Sequence, residues 1–278
     1  MRIDAHQHYW VVSRGDYGWL TPASGILYRD YLPKDLKPHL EREGIDRTIV
    51  VQAAPTVAET RFLLELAETE PTIAGVVGWL DMEDEGFADA LAQFMAHPKF
   101  CGIRPMIQDL PDDDWMLRPA VQRAFKELER VGCPFDFLTY PRHLPRVVRV
   151  LEAFPNLRCV IDHLSKPPIR TGQLEPWRTD LARVAAFPNV WCKLSGMVTE
   201  ADHARWTPAD LAPYARHAVE VFGWERVMFG SDWPVCLLAA EYGQVVAALR
   251  EVLGDALTPE REGKLFGENA ARFYGIAE

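Results

Sequence analysis

The chain has 278 residues, of which 48 % are hydrophobic and 11 % aromatic, and its formal net charge is −10. A chain of this size and composition buries a large core. Its acidic balance and the absence of any Lys/Arg stripe argue against nucleic acid or an acidic membrane surface as partner.

Taken in chain order, the first apolar run, residues 2–6, is a candidate strand. His6 and His8 lie two positions apart, so in an extended chain they point the same way. Residues 9–34 form a long aromatic-rich insertion carrying Tyr9, Trp10, Tyr17, Trp19, Tyr28 and Tyr31. Loops longer than about 15 residues are usually functional. A helix over 36–43 follows Asp35, and a β-branched run at 48–52 gives a second strand. Helical periodicity then places Phe62, Leu63, Leu66 and Ala67 on one face. Strand 73–79 and a helix burying Phe87, Ala90, Leu91 and Phe94 come next. Strand 100–104 leads through an acidic turn, Asp109 to Asp114, into a helix with Val121, Phe125 and Leu128 inward.

The second half repeats the alternation. Strands at 133–138, 158–163, 190–194 and 226–232 are separated or followed by helices at 145–153, 176–186, 208–222 and 239–253. Thr207 and Pro208 are the N-cap and first residue of the third. Two helices end in Phe-Pro-Asn turns, at 154–156 and 187–189, where proline stops the helix. Residues 264–275 form a closing helix bearing Phe266, Ala270 and Phe273. No apolar run reaches the ~18 residues of a spanning helix, and no secretory h-region or low-complexity tract is present. The five cysteines, Cys101, Cys133, Cys159, Cys192 and Cys236, are odd in number and never in a CxxC pair. They are expected as buried free thiols in a reducing, cytoplasmic setting rather than as disulfides.

Eight apolar strands alternating with helices in one chain predict an α/β fold, a (β/α)8 TIM barrel forming a single domain over residues 1–278. An open doubly wound sheet is the alternative, but no GxGxxG follows the first strand and no GxxxxGK[ST] occurs.

The polar residues that interrupt these runs fall at the strands' carboxyl ends, where barrel chemistry sits. They are His6 and His8 on strand 1, Arg104 on strand 4, and Asp136 with Thr139 on strand 5. Asp162 and His163 end strand 6, Lys193 is on strand 7, and Ser231 and Asp232 end strand 8. Burying such groups without partners costs several kcal/mol each, so their convergence implies a site. His6, His8, His163 and Asp232 form a candidate mononuclear divalent-metal site, zinc being favoured, with Asp232 drawing a proton from water. A metal-free site, with the histidines as hydrogen-bond donors, remains open. No organic cofactor is implied. Arg104 and Lys193 suit a carboxylate, an oxyanion or several hydroxyls; Lys193 has the alternative of pairing with Asp162 or Asp136. Ser231 lacks the GxSxG setting of a nucleophile.

At this point six motifs together resemble the amidohydrolase superfamily, in its amidohydrolase 2 branch, and within it the sugar-lactone hydrolases acting on L-fucono- and L-rhamnono-lactones. They are Ile3-Asp4-Ala5-His6-Gln7-His8, Gly75-Val76-Val77-Gly78-Trp79-Leu80-Asp81, Gly102-Ile103-Arg104-Pro105, Ile161-Asp162-His163-Leu164-Ser165-Lys166-Pro167, Cys192-Lys193-Leu194-Ser195-Gly196 and Phe229-Gly230-Ser231-Asp232-Trp233-Pro234. The resemblance spans residue 2 to Tyr274. It implies a strand-1 histidine pair in His6 and His8, a strand-6 histidine in His163, a general base in Asp232 and a substrate-facing arginine in Arg104. The two-metal members carry a bridging lysine or glutamate where Arg104 stands, so a binuclear site is not expected.

The resemblance implies hydrolysis of an aldonolactone by aspartate-activated water, with Asp232, His163 and Arg104 catalytic. His6, His8, Trp79, Arg104, His143, Lys193 and Trp233 are the expected substrate contacts, and a small sugar lactone is the expected partner. The competing readings are a metal-dependent decarboxylase of aromatic acids on the same barrel, amide or phosphoester hydrolysis, and a non-catalytic binding barrel. Oligomeric state is not legible.

Overall fold

In the computed structural model, which describes residues 1–277, eight parallel strands pair in chain order. They are β1 Ile3–Gln7, β2 Arg47–Val51, β3 Ile73–Gly78, β4 Phe100–Ile103, β5 Phe135–Phe137, β6 Cys159–Ile161, β7 Val190–Leu194 and β8 Val227–Phe229. Around them run α1 Pro33–Glu43, α2 Val57–Thr69, α3 Phe87–Met95, α4 Pro119–Val131, α5 Leu144–Ala153, α6 Trp177–Ala185, α7 Met197–Glu200, α8 Pro208–Phe222, α9 Tyr242–Leu253, α10 Pro259–Gly263 and α11 Asn269–Tyr274. Asp232 N donates to His6 O (2.8 Å) and His8 N donates to Trp233 O (2.7 Å), which joins the exit of β8 to the exit of β1. The sheet is therefore a closed (β/α)8 barrel at the end where the candidate site lies.

The strands are apolar throughout because both faces are covered. Inside the ring, Ile3, Ala5, Ile49, Val51, Val77, Val160 and Met228 pack together, and α11 seals that cluster with Ala270, Phe273 and Tyr274. A register shift in β1 between Asp4 and Gln7 separates two roles along one short strand. The Asp4 carboxylate accepts hydrogen bonds from Ser231 N (2.9 Å), His6 N (3.0 Å) and Tyr242 OH (3.1 Å), tying β1 to the turn after β8 and to α9.

Helix boundaries differ from the sequence reading where side chains act from inside a turn. α1 starts at Pro33, ahead of Asp35; the Asp35 carboxylate reaches back to accept Leu32 N at 3.0 Å. The closing segment is α10 and α11 joined by a π-turn, Lys264–Glu268. The turn widens where Gly267 lies against the chain's start, so close that a Cβ there would come within 2.2 Å of Met1 O. Thr207 and Pro208 do begin α8, and the Asp210 carboxylate accepts Thr207 N at 2.7 Å. The two Pro-Asn turns lie side by side, with Asn189 Nδ2 donating to Pro155 O at 2.7 Å.

The insertion is folded against the barrel's carboxyl end. Trp10 and Tyr31 exchange backbone hydrogen bonds at 2.9 Å, and the Tyr31 ring sits edge-on to both Trp10 and Trp233 at 5.5 and 5.1 Å. Three carboxylates of the acidic turn after β4 are paired with arginines ahead of α4 and in the α5 region: Asp112–Arg118 at 2.8 Å, Asp113–Arg142 at 2.9 Å and Asp114–Arg146 at 2.8 Å. No helix among the described residues is long and apolar enough to cross a membrane.

All five cysteines are free and buried. Burial pushes every thiol up, that of Cys133 to about 12. Only the thiolate attacks a disulfide reagent. Ellman's reagent is therefore expected to leave the native protein unlabelled over minutes and to titrate all five thiols in guanidinium.

Candidate active site

The site is assembled from the residues immediately beyond the strands. Asp232 follows β8 with φ +57°, and His163, Leu164, Ser165 and Lys166 form a left-handed turn after β6 with φ between +49° and +59°. Such conformations cost non-glycine residues roughly 1–2 kcal/mol each and persist where surrounding contacts enforce them. Here they aim His163 and Lys166 into the cavity above the barrel. Trp177 Nε1 donates to Leu164 O at 2.7 Å and holds the turn.

One carboxylate oxygen is the meeting point. Asp232 Oδ1 lies 3.2 Å from His8 Nε2, 3.7 Å from His163 Nε2 and 3.8 Å from His6 Nε2. His8 Nδ1 donates to Val51 O at 2.7 Å, which leaves its Nε2 lone pair facing Asp232. His163 Nδ1 shares a hydrogen bond with Ser195 Oγ at 2.8 Å. His6 Nδ1 lies between Lys193 Nζ (3.1 Å) and Asp162 Oδ1 (3.5 Å), so donor and acceptor are both at hand. Burial, reinforced at His6 by the Lys193 and Arg104 charges, holds the His6 and His163 rings well below the usual imidazole range. Burial pushes Asp232 up, but the neighbouring His163, His8 and Lys166 outweigh it and hold its carboxyl below the usual carboxylate range.

Neutral imidazoles around an ionised carboxylate are the donor set of a divalent-metal site. His6, His8 and Asp232 each offer one ligand atom, and these atoms all lie within 4.8 Å of one another. A lone pair aimed at an anionic oxygen is unfavourable unless a cation or proton stands between them, so this residue set fits a single divalent ion.

The cavity over these groups holds about 210 Å³ and is walled by His8, Arg104, His163, Lys166 and Asp232, with Trp19 and Met106 among its apolar neighbours. Arg104 is held from below. Its Nη1 lies 3.3 Å from His6 Nε2 and 3.4 Å from Asp162 Oδ2, its Nη2 donates to Gln52 O, and its Nε has no hydrogen-bond partner.

Several residues named from the sequence lie elsewhere. Lys193 is fully buried beneath the floor, paired with Asp136 at 2.5 Å and Asp162 at 3.0 Å, so its other reading, as a buried ion-pair partner, describes its position. His143 sits beside the acidic turn: its Nδ1 accepts Tyr140 N and its Nε2 meets Asp113, each at 3.0 Å. Trp233 is packed among Tyr9 and Tyr31. Trp79 lines an adjoining chamber rather than the cavity over Asp232. Ser231 accepts Trp233 N at 3.0 Å in a buried turn. Lys166 is the cavity residue that sequence reasoning passed over. It stands in the same Asp-His motif as His163, but only the left-handed turn turns it toward the same space.

Gly196 marks the closeness of this packing. Its φ is +64°, and a Cβ there would lie 2.6 Å from His163 Nδ1. Gly196→Ala is expected to cost about 1–2 kcal/mol of stability through its backbone and to lower turnover at least about tenfold by displacing the imidazole. Urea midpoints and steady-state rates measure the two effects separately.

The amidohydrolase family model (Amidohydro_2) matches residues 3–276. An L-fucono-1,5-lactonase from Burkholderia ambifaria is 42 % identical over 99 % of this chain and 96 % of its own length. An L-fucono-1,5-lactonase from Burkholderia multivorans is 38 % identical over 100 % of this chain and 97 % of its own. The crystal structure of a Burkholderia multivorans amidohydrolase with bound zinc superposes with a TM-score of 0.95, at 37 % identity and full coverage of both chains. With its histidine pair, strand-6 histidine and strand-8 aspartate gathered at one mouth of a closed barrel, the chain belongs to the amidohydrolase family and is an enzyme of its Amidohydro_2 branch.

Proposed function

We propose that the chain hydrolyses a sugar lactone, L-fucono-1,5-lactone or a closely related six-carbon aldonolactone, to the open-chain acid. The observation that carries this reading is the convergence on Asp232 Oδ1 of three imidazoles, in a cavity whose wall includes an Arg104 with its Nε unpaired. Two relatives covering nearly the whole chain are L-fucono-1,5-lactonases, which supports the same substrate class.

Asp232 takes a proton from water as the water oxygen attacks the ring carbonyl. The carbonyl oxygen gains the electron pair, and Arg104 and Lys166 are the fixed cations that stabilise it. Preorganised donors of this kind contribute about 3–4 kcal/mol apiece. The tetrahedral carbon then expels the ring oxygen, which collects the proton from Asp232, or through His163. Lys166 is the proposed contact to substrate hydroxyls. His6, His8 and Asp232 are the residues that would hold a divalent ion, zinc as in the Burkholderia multivorans structure, and such an ion supplies Lewis acidity and lowers the pKa of water.

The test is a panel of aldonolactones in weak buffer with a pH indicator, run beside hydroxybenzoates monitored by ring absorbance. Acid release from six-carbon lactones with unchanged hydroxybenzoates is the expected result. Loss of ring absorbance without lactone turnover would replace the reading with decarboxylation. Elemental analysis of protein purified without added metal is expected to find about one equivalent of metal per chain.

A further inference from the structure

Beside the cavity over Asp232 lies a larger chamber of about 530 Å³. Trp19, Met106 and Asp109 line both spaces, so the chamber lies next to whatever sits over Asp232. Small-molecule pockets commonly measure about 300–1,000 Å³. The 210 Å³ over Asp232 falls short of that range and suits a single lactone ring, whereas the two chambers joined fall within it.

We propose that the adjoining chamber binds an uncharged glycosyl group carried by the lactone, so that disaccharide aldonolactones are substrates; this rests on the lactonase reading above. Three indoles form the chamber's walls. Trp19 Nε1 donates to Ala53 O at 2.7 Å and Trp115 Nε1 donates to Glu83 Oε2 at 2.9 Å. Their polar edges are therefore committed to the protein, which fixes the rings. The backbone of Trp79 is held on both sides by the Thr60 hydroxyl, at 2.8 and 3.0 Å. Rigid apolar faces of this kind match the C–H faces of a pyranose, while a few polar groups orient it.

The carboxylates around the chamber decide which substituent fits. Glu83 is paired with Arg118 at 3.0 Å and Asp16 with Arg14 at 2.6 Å. Asp81 and Asp109 stand exposed at the rim without an arginine or lysine partner among the described residues. They can each accept hydroxyl hydrogen bonds. The same charges repel a phosphate or uronate substituent, as like charges do across any interface. The aromatic walls suit a sugar ring, and the acidic rim disfavours an anionic one.

The experiment compares a six-carbon aldono-1,5-lactone with the same lactone bearing an O-linked glucosyl group, by acid release from the full chain. The parent is expected to hydrolyse both. Leu110, half-buried, lines the larger chamber only. Leu110→Trp, which narrows that chamber, is expected to lower kcat/KM for the glucosylated lactone at least about tenfold and to leave the plain lactone within about twofold. Trp115→Leu, which removes one wall, is expected to act in the same direction. A parent that hydrolyses the plain lactone but not the glucosylated one overturns the inference and leaves the lactonase reading standing. Equal rates for the glucosylated lactone in parent and Leu110→Trp overturn it too. If neither lactone is hydrolysed, the lactonase reading fails and takes this inference with it.

Discussion

Asp232→Asn is expected to lower the turnover of lactone hydrolysis by at least about 100-fold, the lower end of what a positioned general base contributes. The substitution keeps the side chain's shape but removes the negative charge on which three imidazoles converge. Asn also replaces the charged oxygen 3.2 Å from His8 Nε2 with a neutral amide. Backbone contacts that hold the turn do not involve the side chain: Asp232 N donates to His6 O, and Cys236 N donates to Asp232 O, both at 2.8 Å. The variant should therefore fold, with an unchanged far-UV spectrum and a urea midpoint near that of the parent. A turnover within tenfold of the parent would remove Asp232 from the role of base. Elemental analysis of the same preparation separates a lost base from a lost metal ligand.

Much of this architecture is legible in the sequence because a doubly covered parallel strand can only be an apolar run. All eight strands fall within or beside the runs that mark them. The strands β5, β6 and β8 are each shorter than their runs, three residues long. The chain leaves the sheet there to carry Thr139, His163 and Asp232 onward. What stays hidden in composition is the direction of the side chains after the strands end. Four successive non-glycine residues in left-handed conformation, His163 to Lys166, contradict local propensity. Only the packed barrel holds them, so Lys166 is invisible as a pocket residue while His163 is found. Lys193 illustrates the reverse error. Its position on β7 correctly predicts an inward side chain, but strand periodicity carries no information on height within the barrel. The partners that keep it below the floor come from β5, β6 and α11.

Lys193→Met is expected to destabilise the protein by about 3–5 kcal/mol at neutral pH, the usual cost of removing one member of a buried ion pair. At the floor, Lys193 from beneath and Arg104 from the cavity wall face two carboxylates, Asp136 and Asp162, and all four side chains are buried. Tyr274 OH, from α11, donates to Asp136 at 2.8 Å and completes the shell. Burial pushes Asp136 to about 6 against the opposing charge of Lys193. At Asp162 burial acts the same way, but Lys193 and Arg104 outweigh it and hold that carboxyl low. Without the ammonium, one guanidinium must serve two carboxylates, and Asp136 is driven further upward. A carboxyl raised in the folded state favours folding while it is protonated and loses that contribution as pH climbs through its folded value. The stability deficit of the variant should thus be small near pH 5, widen through pH 6 and be largest near pH 8. Urea midpoints measured against the parent at those three pH values test this directly. A deficit that stays constant across them would mean that the methionine disturbs packing alone. Lys193 would then be a buried stem rather than the charge that lets Asp162 stand ionised beside His6.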